Sequence, residues 1–122
     1  MLFTSVQAAI SKTSSDAPFH GAAVDVTAIA GDFDLVLRVN RSSVDKKAKL
    51  IFEYSTDSFV TSKPLSVTEV GGGITPTSPW STSLRQRDFP SVPLSQIGAE
   101  LRLTLASMDS GATINYEAWI ES

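Results

Sequence analysis

Apolar residues recur at every second position through most of this chain, and that period constrains its fold more than any other feature. In the stretch ELRLTLASMDSGATINYEAWIES, residues 100–122, one alternating run precedes Met-Asp-Ser-Gly and a second run follows it. The alternating apolar positions of the two runs are Leu101, Leu103, Leu105, Ala112, Ile114, Tyr116, Ala118 and Ile120. A period of two is typical of a half-buried β-strand, and turn-forming residues between two such runs predict a β-hairpin.

The same alternation appears in five earlier segments. Their apolar positions are Val6, Ala8 and Ile10; Ala22, Val24 and Val26; Phe33, Leu35, Leu37 and Val39; Ala48, Leu50, Phe52 and Tyr54; and Leu65 with Val67. No stretch keeps a helical period. The pattern predicts an all-β chain whose antiparallel strands form a two-sheet sandwich, jelly-roll-like. A small β-barrel is the alternative, because both architectures hide one side of each strand.

The length of 122 residues predicts one domain with a core of its own. Residues 1–17 are predicted to be an N-terminal arm or edge segment, because SKTSSDAP interrupts the alternation there. Residues 18–122 are predicted to form the β-sandwich domain.

Composition and charge exclude several functional classes. The formal net charge of −3 argues against a dedicated nucleic-acid partner. No segment approaches the roughly 18 apolar residues that a membrane-spanning helix needs, so no membrane partner is expected. The N-terminus lacks the positive region and long apolar core of a signal peptide. The sequence therefore predicts a protein that is made and kept, or assembled, in a cytoplasm.

The search for a catalytic centre points away from an enzyme. The chain has no cysteine and one histidine, His20, which cannot make a typical zinc site by itself. A Ser-His-Asp triad would need His20 as its base, and no G-x-S-x-G turn supports one. We therefore expect no catalytic residues, no cofactor and no metal.

Four large aromatic residues lie at positions where a monomer would have difficulty burying them. Trp119 lies on the face of the last strand opposite Tyr116, and Trp80 follows a proline. Phe3 and Phe19 lie in the segments around the predicted N-terminal arm. Aromatic side chains are enriched at interface hot spots, so these four residues are the predicted interface.

The second half of the chain resembles small structural proteins encoded among the head genes of tailed phages and prophages. The resemblance is carried by EYSTDSF, PLSVTEVGGGI, SLRQRDFP and the closing AELRLTLASMDSGATINYEAWIE, and it covers about residues 50–122. Such proteins are β-rich capsid decoration, or cement, proteins without enzymatic activity.

The resemblance implies a virion structural protein on the outer surface of a phage head, assembled in the host cytoplasm. Its implied partners are the major capsid protein and copies of itself, as a dimer or trimer. Two alternatives remain open: a phage tail or baseplate β-module, and a carbohydrate- or ligand-binding β-sandwich in which Trp80 or Trp119 stacks on sugar rings.

Overall fold

The computed structural model describes residues 2–29, 33–43, 45–71, 80–85 and 99–122, with the backbone alone described for 80–85. The strands are β1 (Phe3–Thr13), β2 (Phe19–His20), β3 (Val24–Asp25), β4 (Asp34–Ser42), β5 (Lys47–Ser55), β6 (Lys63–Gly71), β7 (Trp80–Arg85), β8 (Glu100–Met108) and β9 (Thr113–Glu121). A short 3-10 turn, Ser14–Asp16, follows β1. Within these residues no helix has the length and hydropathy to cross a membrane.

The described strands form two packed antiparallel sheets rather than one closed barrel. One sheet has the order β1-β9-β4-β7 and the other the order β2-β8-β5-β6, with β3 also paired to β8. The predicted all-β sandwich is therefore confirmed. β1 is an edge strand of the four-stranded sheet, while the division of the chain between residues 17 and 18 stays a prediction.

The strand pairs are nested in the sequence. β1 pairs with β9, β2 and β3 pair with β8, β4 pairs with β7, and β5 pairs with β6. Such nesting describes one long hairpin whose paired arms are folded over together, so that alternate pairs fall in different sheets. This is the strand order of a jelly roll.

The core lies between the inward faces of the two sheets, at most of the positions that the alternation predicts. Ala8 and Ala22 are exceptions, since both are exposed. Its most fully buried large side chains include Leu35, Leu37, Leu50, Leu101, Leu103, Leu105, Tyr116 and Ile120. Burying a leucine or isoleucine side chain contributes about 1.5–3 kcal/mol. The sandwich is therefore held chiefly by apolar side chains that lie far apart in the sequence.

The predicted closing hairpin is wrong, because β8 lies in the five-stranded sheet and β9 in the four-stranded sheet, and the two strands do not pair with each other. Alternation on both sides of a turn predicts two strands, but it does not determine whether the second strand stays in the same sheet. β8 and β9 are joined by a turn in which Ala112 N donates to Asp109 O at 3.0 Å, and Gly111 has a φ of 81°. The turn is fastened to the start of β5, because Lys47 N donates to Asp109 Oδ2 at 2.8 Å and Asp109 N donates to Lys47 O at 2.9 Å.

Two predicted strands differ in detail from the structure. The run Ala22, Val24 and Val26 predicts one strand, but only Val24 and Asp25 are paired. Gly21 precedes them, donates its N–H to Leu103 O at 2.9 Å, and lies so close to β8 that a Cβ there would be 2.9 Å from the same oxygen. Because β2 already pairs with β8 at Phe19 and His20, Gly21 continues that contact, and the second short ladder to β8 begins only at Val24.

Leu65 and Val67 belong to one strand, as predicted, but their exposures differ. Leu65 is 7% exposed and Val67 is 54% exposed. The ladder between β5 and β6 shifts register between the Phe52–Ser66 and Glu53–Pro64 pairs. The extra residue at this irregularity turns Leu65 inward, whereas Val67 lies opposite Ile51 on the outer face.

Candidate functional site

The first candidate surface is a corner of the four-stranded sheet, where β1 and β9 meet at their ends. Leu2 N donates to Ser122 O at 2.8 Å, and Ser122 N donates to Leu2 O at 2.9 Å. These bonds extend the ladder past Phe3, which lies opposite Glu121. Leu2 and Phe3 are 73% and 66% exposed, so two apolar side chains, one on each face of the sheet, are exposed on hydrogen-bonded backbone.

Trp119 lies on the outer face beside this corner. It is half-buried and lies opposite Ser5 on β1 and Val36 on β4. Its Nε1 donates to Glu121 Oε1 at 3.0 Å. Because Phe3 lies opposite Glu121, Phe3 and Trp119 are diagonal neighbours on one face of the sheet. We call Leu2, Phe3 and Trp119 the apolar corner.

The other two predicted interface residues do not join the apolar corner in the described structure. Phe19 belongs to the other sheet, lies opposite the buried Leu105 and packs against the core. The Lys12 ammonium group lies 3.9 Å from the centroid of its ring. Trp80 begins β7 with its backbone opposite Val39, and its side chain lies outside the described residues. The interface roles of all four aromatic residues stay predictions.

The second candidate surface is a polar network on the outer face of the five-stranded sheet. Glu53 lies at its centre and accepts a hydrogen bond from the Thr104 hydroxyl and a second from Ser62 Oγ at 2.8 Å. Arg102 Nε lies 3.4 Å from Glu53 Oε1. His20 Nδ1 is 3.0 Å from Thr104 Oγ1 and 3.9 Å from Glu53 Oε1. We call these five residues the Glu53 network.

The donors around Glu53 determine its ionisation. Burial tends to raise the pKa of this carboxyl group, but the hydrogen bonds from Thr104 and Ser62 and the charge of Arg102 outweigh that effect. The pKa of Glu53 is therefore lowered, and the network holds a carboxylate at neutral pH.

The same hydrogen bonds decide what His20 can do. Thr104 has one hydroxyl hydrogen, which it donates to Glu53, so its oxygen accepts from the His20 Nδ1–H. The lone pair of the neutral imidazole is then on Nε2, away from Thr104. A histidine base would need that lone pair directed at the hydroxyl, so this arrangement does not activate Thr104 as a nucleophile.

The loop between β5 and β6 lies beside the Glu53 network. The Arg102 guanidinium stacks on the Phe59 ring, with its carbon 4.1 Å from the ring centroid. Asp57 organises the loop, accepting from Ser55 Oγ at 2.6 Å, from Thr61 N at 3.0 Å and from Thr61 Oγ1 at 2.6 Å. The hydrogen bond from Ser55, followed by those from Thr61, lowers the pKa of Asp57 to about 2.

The sequence did not predict the Glu53 network. The alternation does place Glu53 on the outward face of its strand, but its partners Arg102 and Thr104 lie about fifty residues further on. Finding them requires the register between β5 and β8, which is itself shifted between Lys49 and Leu50. Among the described residues, no group of three or more His, Cys, Asp or Glu side chains is arranged to hold a metal ion.

The fold and these surfaces define a class: an all-β jelly-roll protein with an apolar corner on one sheet and a hydrogen-bonded polar network on the other. No family model, no curated protein and no solved structure matches this chain.

Proposed function

We propose that this chain is a non-enzymatic virion structural protein, a decoration protein that binds the outer surface of a tailed-phage head and stabilises it. Its proposed partners are the major capsid protein and further copies of the chain itself. No cofactor takes part in this function.

The observation that carries the proposal is the apolar corner. Leu2 and Phe3 are largely exposed although the β1–β9 ladder fixes their backbone. An exposed apolar group that is already ordered loses little conformational entropy on binding, which favours a contact with another protein. Trp119 adds a half-buried aromatic side chain to the face that carries Phe3, and tryptophan is prominent among interface hot spots.

Two further considerations support a shell protein. Jelly rolls recur in viral capsid and lectin domains, and residues 50–122 resemble phage head-region proteins. Decoration also suits a small rigid sandwich, because copies that contact one another and a repeating lattice bind more tightly than isolated copies. One contact of modest area per copy is then sufficient.

The test is quantitative peptide mass spectrometry of purified virus-sized particles. We expect the chain at a copy number close to that of the shell protein. Absence from the particles would overturn the virion proposal, and a few copies per particle would favour a tail or baseplate module.

A binding assay with recombinant protein and undecorated particles tests the corner itself. Phe3→Ser should reduce particle occupancy by at least about tenfold, since it removes a largely exposed aromatic contact. Val60→Ser is the matched control, because Val60 is 83% exposed but lies in the loop between β5 and β6. Equal occupancy for the wild type and Phe3→Ser would mean that the apolar corner does not contribute to shell binding.

A carbohydrate-binding sandwich is the second candidate, and a polar row on the outer face of the four-stranded sheet favours it. Asn40 Nδ2 donates to Asn115 Oδ1 at 3.0 Å, and Asn115 Nδ2 donates to Ser11 Oγ at 2.7 Å. With Arg41 these residues line a cavity of about 370 Å³. Amide and guanidinium groups suit sugar hydroxyls, and Trp119 on the same face offers a ring for stacking. A glycan array without hits for the wild type at high protein concentration would count against this candidate, and equal signals for wild type and Trp119→Ala would exclude stacking on Trp119 alone.

A further inference from the structure

We propose that the polar row on the outer face of the four-stranded sheet binds an acidic sugar, and that Arg41 contacts the carboxylate of that sugar. The row consists of Ser11 on β1, Asn115 on β9, and Asn40 with Arg41 on β4. This inference deepens the second candidate function, carbohydrate binding, and rests on it. It does not depend on the virion proposal.

A β-bulge in β4 brings two adjacent side chains to this face. The ladder between β4 and β9 shifts register between Val39 and Arg41, so Asn40 is an extra residue in β4. Val39 and Ser42 are buried on either side, whereas Asn40 is half-buried and Arg41 is exposed. Regular alternation would direct one of these two neighbours inward, but both line the same cavity. Bulges are over-represented beside active sites because they re-aim side chains in this way.

The hydrogen bonds within the row leave donors facing the cavity. Asn40 Nδ2 donates to Asn115 Oδ1 at 3.0 Å, and Asn115 Nδ2 donates to Ser11 Oγ at 2.7 Å. Because Ser11 is the acceptor in this chain of bonds, its own hydroxyl hydrogen can be donated to a ligand. The Asn115 amide has a second N–H as well. Both groups therefore favour a ligand that accepts hydrogen bonds.

Arg41 adds a positive charge that no side chain in the described ranges neutralises. It makes no hydrogen bond or ion pair with any of those residues. Its planar guanidinium presents N–H groups in a fork that matches a carboxylate. Glu117 is the next outward residue after Asn115 on β9, but it lies opposite Arg38, whose charge offsets it. The charge at Arg41 therefore favours an anionic acceptor over a neutral one.

The extent of the row favours a sugar over an isolated carboxylate. Its cavity of about 370 Å³ lies within the range of about 300–1,000 Å³ that is typical of small-molecule sites. The row crosses three neighbouring strands and so spans about 10 Å, at about 4.8 Å per strand. An aspartate or glutamate side chain bound to Arg41 would leave the donors of Ser11 and Asn115 without acceptors. A uronic acid brings a carboxylate for Arg41 and ring oxygens for the other two residues.

Titration of the full chain with methyl glucuronide and methyl glucoside, followed by NMR of the backbone amides, tests the inference. The two sugars differ only in that a carboxylate replaces a hydroxymethyl group. We expect shifts at Ser11, Arg41 and Asn115, and an affinity at least about tenfold higher for the glucuronide. Arg41→Gln should reduce the glucuronide affinity by about tenfold or more and leave the glucoside affinity unchanged. Arg38→Gln, a matched loss of charge on the same strand, should change it by less than about twofold because solvent and salt screen that charge.

Thermal unfolding of each variant separates a lost site from a lost fold. Equal affinities for the two sugars overturn this inference alone and leave carbohydrate binding in place. Arg38→Gln weakening the glucuronide as much as Arg41→Gln also overturns it. So does N-acetylglutamate, a carboxylate without a sugar ring, if it binds as tightly as the glucuronide.

The failure of this inference is distinguishable from the failure of either proposed function. Absence of shifts with both sugars overturns the inference, and a glycan array without hits then removes the carbohydrate candidate as well. Hits confined to other, neutral sugars overturn the inference and keep that candidate. The copy number on purified particles tests the virion proposal independently of all these results.

Discussion

At the scale of single residues, Glu53 connects more strands than any other polar side chain described above. Through its carboxylate it joins β5 to Thr104 and Arg102 on β8 and to Ser62 beside β6. Through Thr104 it also reaches His20 on β2. Polar groups with little exposure are stable only when they are paired, so this one residue helps fix the register of four strands.

We predict that Glu53→Gln destabilises the protein by about 1–3 kcal/mol at pH 7, because charge-assisted hydrogen bonds are lost while their donors remain. The pKa of Glu53 is lowered in the folded protein, so its stabilising contribution is present above the unfolded value of 4.5 and is lost as the pH falls through the folded value. Urea denaturation between pH 3 and 7 should show the wild type and variant converging in acid. A constant difference over that range would contradict the prediction.

Tyr116 differs from Glu53 because its buried polar group has no hydrogen-bond partner among the described residues. Its ring is fully buried, and its hydroxyl has no hydrogen-bond partner within the described ranges. Burial raises the pKa of Tyr116 to about 12. The hydroxyl therefore carries a desolvation cost without a compensating bond.

We predict that Tyr116→Phe leaves stability unchanged or raises it by about 1 kcal/mol, since it removes an unpaired buried oxygen. Tyr116→Leu, which shortens the side chain and leaves a cavity, is the contrasting variant and should destabilise by about 2 kcal/mol or more. Thermal denaturation measures both. A clear loss of stability in Tyr116→Phe would contradict the prediction, because it would mean that the hydroxyl has a hydrogen-bond partner.

At the scale of elements, the loop between β5 and β6 is ordered by its own side chains rather than by burial. Ser58 and Phe59 have φ values of 58° and 61°, a region that residues other than glycine seldom adopt. The bonds from Ser55 and Thr61 to Asp57 hold the chain through this turn. The loop thereby places Phe59 under Arg102 and leaves Val60 at its tip.

We predict that Asp57→Ala increases protease cleavage within residues 56–62 and speeds amide hydrogen exchange at Thr61 while the sheets stay intact. Lowering the pH of the wild type should have the same effect. The pKa of Asp57 is about 2 in the folded protein against an ordinary 3.8, so loop order is lost as the pH falls across that interval. Thr27→Ala is a control, since it removes an equivalent hydrogen bond to Asp25 elsewhere on the surface.

At the scale of the whole molecule, the nested topology makes distant contacts the source of stability. β1 pairs with β9 across nearly the full length of the chain. Closing such long loops costs conformational entropy before any contact forms. Folding must therefore assemble several distant strands almost together.

We predict folding in milliseconds to seconds, as in other domains dominated by non-local strand pairs. Stopped-flow refolding followed by tryptophan fluorescence measures the rate. A microsecond phase that accounts for the full amplitude would contradict this view of the topology.

The sequence predicted which face of each strand is buried better than it predicted which strands pair, and the hairpin predicted between β8 and β9 is wrong. Period-two alternation identified Leu101, Leu103 and Tyr116 as inward and Trp119 as outward, because the face of a strand depends on parity alone. Register depends on bulges that parity does not reveal. For this reason the outward exposure of Val67 and the meeting of Glu53 with Arg102 emerged only from the structure.

The ladder between Leu2 and Ser122 also determines how the molecule responds to mechanical load. Because β1 and β9 are antiparallel and their ends lie side by side, a force that pulls residues 2 and 122 apart acts across the ladder. It would open the hydrogen-bonded pairs one after another from the apolar corner inward, as a zipper opens, instead of shearing them all at once. A partner bound over the apolar corner would hold the first hydrogen-bonded pairs together. Tighter binding would therefore raise the force needed to open the ladder.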